Sequence, residues 1–172
     1  SIPEEKKERI IHTAMECFAK NGYIKAAMDE IVAGAEISKG LVFHYFGSKK
    51  KLYLYLYEFA YRLVYERVTT LFDTAEVDLF VRLRQSEQAK LAVMSAYPYV
   101  LDFLTAARKE TDTSLLDEIR KVKVERFPDW TSAFLAGIDT SRLREGVEVG
   151  KVIKIILWCT NGLLAEHKDD FV

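Results

Sequence analysis

Proline and glycine are scarce in this sequence, 3 and 8 in 172 residues. A turn-rich all-β chain needs more of both, so the shortage points to long helices. Cysteine and histidine are also few. Cys17 and Cys159 lie far apart, and His12, His44 and His167 are scattered, which supplies neither a disulfide framework nor the ligand spacing of a zinc site. Both cysteines sit among apolar residues and read as buried, inert thiols. The sequence holds no Ser/His/Asp, Cys/His or paired-carboxylate constellation and no glycine-rich phosphate loop, which argues against an enzyme; no cofactor or metal is expected. No apolar run reaches the roughly 18 residues of a membrane span, and no charged-then-apolar leader opens the chain. The expected setting is the reduced cytoplasm, with no membrane partner. What is present is a composition 49% apolar and 30% charged, enough for one core domain carrying a small head.

Helical periodicity organises almost the whole chain. Pro3 to Lys20 reads as a first helix, with Glu4 and Glu5 at its positive end and Ile11, Met15 and Phe18 at helical spacing. Asn21-Gly22 supplies a stop, with Gly22 suited to a left-handed cap. Met28–Ala35 and Lys39–Tyr45 read as short helices, the second capped by Ser38, and Ser48 is placed to cap a fourth. That fourth segment, Lys49 to Phe72, begins Leu52-Tyr53-Leu54-Tyr55-Leu56-Tyr57, an alternation that tempts a strand reading. Both members of each pair are apolar, however, and no glycine or proline interrupts the segment, so a long, largely buried helix is predicted. Further helices are expected over Asp78–Ala96, Tyr99–Lys109, from Ser114 (in capping-box spacing with Asp117) through Arg126, and over Val147–Glu166. The fold class is therefore all-α: a helix-turn-helix head over residues 1–47, its motif at about 26–45, and a larger helical bundle over 48–172.

Net charge is −1 but unevenly spread. The first 55 residues hold 9 Lys and Arg against 7 Asp and Glu; the remainder hold 16 against 19. From Ile37 to Tyr57 stand Lys39, Lys49, Lys50 and Lys51 with no acid at all. A basic head on a mildly acidic body suits a protein that meets a polyanion with one end. The lysine triplet opens a helix, where the dipole disfavours cations. It reads either as a solvated cluster or as a seat for an external phosphate.

The neighbouring segment favours the phosphate. Ile31-Val32-Ala33-Gly34-Ala35-Glu36-Ile37-Ser38-Lys39-Gly40, then Phe43-His44-Tyr45-Phe46, Lys49 and Leu52, resembles the tetracycline-repressor (TetR) family of bacterial transcriptional regulators over about Glu5 to Leu56. The resemblance implies a helix-turn-helix reader of double-stranded DNA whose recognition helix runs from Lys39. Ala33 and Ala35 would be small where short helices cross. Ser38 caps the recognition helix, and Gly40 lets it approach a groove wall. Lys39 is placed to reach a phosphate or a guanine edge. His44 and Tyr45 can donate to phosphate, and Phe43 offers ring packing or a thymine-methyl contact. By the resemblance Lys49, with Ser48 beside it, touches backbone phosphate. Three departures stand out: Met28 where the family has a capping Thr or Ser, Glu36 where it has a turn glycine, and Phe43 where it has a tyrosine.

Similarity to the family further implies that the bundle senses a small molecule and releases the DNA. Its aromatic richness suits an apolar or aromatic effector, with Tyr61, Tyr65, Tyr97, Phe103 and Trp130 as candidate lining residues. Two recognition helices about 34–36 Å apart read a palindromic operator, so a homodimer is expected. The last helix, with Val149, Val152, Ile156 and Leu163 on one stripe, is its candidate interface. The family's interface usually includes a further helix, which the residues up to Val172 do not supply. A helical enzyme and a protein-binding adaptor remain the competing classes.

Overall fold

The computed structural model describes residues 3–71, 73, 75–126, 134–141 and 143–166. Eight α-helices and no strand occur among them: α1 Glu4–Lys25, α2 Met28–Gly34, α3 Lys39–Phe46, α4 Lys49–Leu71, α5 Leu79–Ala96, α6 Val100–Arg108, α7 Thr113–Arg126 and α8 Val149–Glu166. None is long and apolar enough to cross a membrane. The Leu-Tyr alternation is helical, as expected, and buries Leu52, Tyr53, Leu56, Tyr57 and Ala60.

Local chemistry explains the boundaries. Gly22 interrupts α1 with φ 70, ψ 174, so Tyr23–Lys25 form a kinked last turn rather than a straight continuation. Ser38 Oγ accepts the Leu41 amide at 3.2 Å, and Ser48 Oγ accepts the Lys51 amide at 3.1 Å. The start of α7 differs from expectation. Asp112, not Ser114, caps it: its carboxylate accepts the Leu115 amide at 2.8 Å and the Ser114 hydroxyl at 2.9 Å. An ionised carboxylate is the stronger acceptor, and these hydrogen bonds, the amide first, hold the Asp112 pKa below its ordinary value.

One hydrophobic cluster runs from Ile10, Phe18 and Ile31 through Val42 and Leu52 to Phe103, Leu115 and Ile119, so α1–α4 and α6–α7 share a core. Phe18, Tyr53 and Phe103 meet there with ring centroids 4.9 to 6.3 Å apart. The close approach between α1 and α2 falls at Gly34, where an added Cβ would lie 2.6 Å from Thr13 Cγ2. Ala35 is buried nearby, whereas Ala33 is exposed and does not serve the crossing. Cys17 is buried as expected, and burial raises its pKa; Cys159 is exposed on α8, contrary to expectation.

A second, smaller cluster joins Leu79 and Leu83 of α5 to Phe134 and to Ile153 of α8. Arg82 anchors it. Its guanidinium is fully buried and donates to the carbonyls of Glu76 at 2.6 Å and of Phe134 and Ala136 at 2.7 Å each. Sequence periodicity gives no warning of such a residue. Arg82→Leu is expected to lower the unfolding free energy by about 3 kcal/mol, roughly 1 for each carbonyl left unsatisfied, measured as the shift in a urea midpoint. Arg82→Lys should recover only part of the loss, because an ammonium cannot span three acceptors in a plane.

Candidate nucleic-acid interface

α3 turns Val42 into the core and half-buries Leu41, Tyr45 and Phe46. Its opposite stripe, Lys39, Gly40, Phe43 and His44, is exposed, the i, i+1, i+4, i+5 pattern of one helical face. A Cβ at Gly40 would meet nothing within 4 Å, so this face is open to a close neighbour. The Lys39 ammonium rests on Asp29 of α2 at 2.7 Å. Both side chains are exposed, and such a pair holds by no more than about 1 kcal/mol, so a phosphate can displace it. His44 stands edge-on to Tyr45, centroids 5.1 Å apart.

The turn into α3 is a Schellman closure: the Glu36 amide bonds to Ala33 O at 3.2 Å and the Ile37 amide to Val32 O at 3.1 Å. Glu36 occupies the left-handed position, φ 54, and no other non-glycine residue described has a positive φ. Glycine is the ordinary occupant there because it has no Cβ to collide with the following carbonyl. At the start of α2, Ala27 is the N-cap and no side chain caps it, as Met28 foretold.

The lysine triplet divides. Lys49 donates to the Ile24 carbonyl at 3.2 Å and lies 5.0 Å over the Tyr23 ring; burial lowers its pKa. Expected on phosphate, it is instead turned toward the end of α1. Lys50 reaches the body, donating to Ser114 O at 3.2 Å and Oγ at 3.3 Å. Lys51 is exposed and runs beside the Gly47 turn that ends α3, which places it as the triplet's cation next to the open face. Ser38 and Ser48 spend their hydroxyls as acceptors for helix caps.

Residues 10–56 match the family model described as bacterial regulatory proteins, tetR family. Over those residues the amino-terminal head is similar to the TetR family. Among curated relatives, the uncharacterized regulator YuxN of Bacillus subtilis is 28% identical over 69% of this chain and 39% of its own length. The repressor AcnR of Corynebacterium efficiens is 37% identical over 31% of this chain and 29% of its own. The chain thus spans well under half of these relatives. The TetR-family regulator PfmR of Thermus thermophilus superposes with a TM-score of 0.62 over 91% of this chain and 85% of its own, at 19% identity. A TetR-like regulator from Rhodococcus gives 0.57 over 73% and 67%, at 20% identity. At such identities the likeness concerns the fold, which here joins a TetR-like head to a helical body.

In the body below the TetR-like head, a cavity of about 390 Å³ opens among α4, α5, α6, α7 and α8. Tyr61 and Tyr65 line it together with Tyr57, Val64 and Val68 of the same α4 stripe. Tyr97 does not reach it: its ring stacks on His12 at 4.8 Å and its hydroxyl donates to Glu8 at 3.0 Å, fastening the body to α1. Phe103 is fully buried in the shared core. Trp130 lies outside the described residues. Trp158 of α8, not singled out from sequence, lines the cavity.

The apolar stripe on α8 is also displaced from expectation. Val149 and Ile156 pack with Ile153 against the second cluster, so they face inward, and Val152 is half-buried. Among the described residues of α8, the exposed large apolar side chains are Ile155 at 57%, Trp158 at 72% and Leu163 at 57%.

Glu36→Gly is expected to raise the unfolding free energy by about 1 kcal/mol by relieving the left-handed turn. Ser38→Ala should lower it by a similar ~1 kcal/mol through the lost cap. Thermal unfolding of the two variants beside wild type, shifting in opposite directions, checks both.

Proposed function

We propose that the chain is a dimeric transcriptional regulator that lays α3 in the major groove of a palindromic operator and is released by a small molecule held in the body. The observation that carries this reading is the open α3 face. Lys39, Gly40, Phe43 and His44 stand free of the core within a stretch, Ile37 to Tyr57, that has no acidic residue, while the chain as a whole is slightly negative. Its TetR-like head supports repression as the mode, in line with the repressor named among the relatives.

A second copy is the occupant we assign to the exposed α8 stripe. Ile155, Trp158 and Leu163 fall at i, i+3 and i+8 with Cys159 and Gly162 between them, a continuous apolar edge on one helical face. Packed on its own two-fold mate, such a helix buries that edge and spaces two heads for a palindrome. Release by a ligand has a physical route. α6 supplies Leu101, Leu104, Thr105 and Arg108 to the cavity wall. Two residues beyond Arg108, the Glu110 carboxylate accepts the Tyr23 amide at 2.6 Å, at the Gly22 kink that leads into α2. A shift of α6 therefore pulls on the head.

Selection of bound duplexes from a random pool should recover an inverted repeat; recovery of single half-sites would reject the two-fold arrangement. On the recovered operator, Lys39→Ala and His44→Ala should relax base preference by about tenfold each, as expected for losing one base contact. Lys51→Ala should weaken all duplexes alike and reduce the salt slope by about one. Lys49→Ala should cost thermal stability rather than affinity, since its ammonium is spent inside the protein. Trp158→Glu should give monomers by light scattering while leaving the helical content intact.

A further inference from the structure

The cavity is apolar at its floor and cationic at its rim. Tyr57, Val68, Ser86 and Leu104 are buried, whereas Arg108 of α6, Lys123 of α7 and Lys154 of α8 are exposed around the opening. No carboxylate among the described residues lines it. The fourth cation, Lys90, is already paired with Glu87 at 2.7 Å. Arg108, Lys123 and Lys154 form no salt bridge among the described residues. Three like charges drawn from three helices around one mouth repel each other unless an anion joins them.

The floor carries an independent sign of a ligand. Ser86 is 1% exposed and lines the cavity, yet its hydroxyl has no hydrogen-bond partner among the described residues. A buried hydroxyl left unmade is costly, and this one adjoins empty space. Arg108 also acts on the wall: burial, the main cause, and the neighbouring Tyr61 raise the Tyr57 hydroxyl to about 12, and the guanidinium opposes them. Its positive field thus reaches the apolar part of the site.

We infer that the cavity binds an amphiphilic organic anion, with its charged head among Arg108, Lys123 and Lys154 and its apolar body lying over Tyr57, Val68 and Leu104 toward Ser86. This rests on the sensor reading above and narrows it: a neutral apolar molecule would leave the rim uncompensated. A volume of about 390 Å³ suits one small molecule rather than a macromolecular segment.

Calorimetric titration of the full chain with decanoate and with decan-1-ol, which share an alkyl body and differ in charge, tests the inference. Decanoate should bind at least tenfold tighter, and added salt should narrow the gap. The double variant Arg108→Ala/Lys154→Ala alters only exposed side chains. It should lose about tenfold in decanoate affinity and keep its decanol affinity. Equal binding of the two probes, wild-type decanoate affinity in the double variant, or no binding of either would overturn the inference. A separate readout, retention of duplex DNA, distinguishes the broader reading. Decanoate that binds with the expected charge dependence but leaves DNA retention unchanged upholds the anion site and rejects ligand release.

Discussion

Leu52, Tyr53, Leu56 and Tyr57 leave the first half of α4 without a polar side, and burying that half requires partners on more than one flank. α1 and α3 cover it toward the head, and α5, α6 and α7 cover it toward the body. The result is one continuous core instead of a head on a flexible stalk. The position of α3 follows from this arrangement. A recognition helix of eight residues is too short to be stable alone, and it holds its shape because Val42 is pinned in a core that extends to Phe103 and Leu115. The open stripe of α3 is therefore presented by a rigid body, which is what groove reading demands.

The same packing decides where positive charge can go. Three adjacent lysines at the start of one helix point in three directions, because successive helical residues are about 100° apart. One turns to the end of α1, one to the start of α7, and one toward the turn beside the open face. A lysine count thus overstates the charge available to DNA. Lys49 ties the start of α4 to the end of α1 and Lys50 ties it to the start of α7, and the basic character that remains at the interface is carried by Lys39 and Lys51.

Much of this was legible in the sequence, and the failures share a cause. Helix type and order were readable because periodicity and caps are local: Ser38, Ser48 and Gly22 act within one turn of themselves. Glu36 was readable too, as a residue obliged to take a glycine's backbone. What local pattern could not resolve was which apolar stripe faces which neighbour. Val149 and Ile156 have the spacing of an interface, but Leu79, Leu83 and Phe134 claim that side of α8. Phe103 and Tyr97 were aromatic residues in the right half of the chain, yet α1 lies against α6 and captures both. Tyr57 carried a usable signal, since Tyr57, Tyr61, Val64, Tyr65 and Val68 form a single helical stripe. The cations at the cavity mouth carried none, coming as they do from three separate helices.

That last point bears on what the body recognises. Aromatic content suggests an apolar ligand, but it measures only how a wall is made, and most of these rings are in the core. The discriminating chemistry of a pocket lies in the few polar groups that converge on it. Here they are cations at the mouth and the Ser86 hydroxyl at depth. Arg108 belongs both to that mouth and to the helix whose following residues hold Tyr23. An anion drawn onto Arg108 changes the electrostatic balance at the end of α6. Differential attraction of this kind is what lets a ligand favour one head position over another. A purely apolar ligand, seated on the buried floor, would have less purchase on the end of α6 and on Glu110.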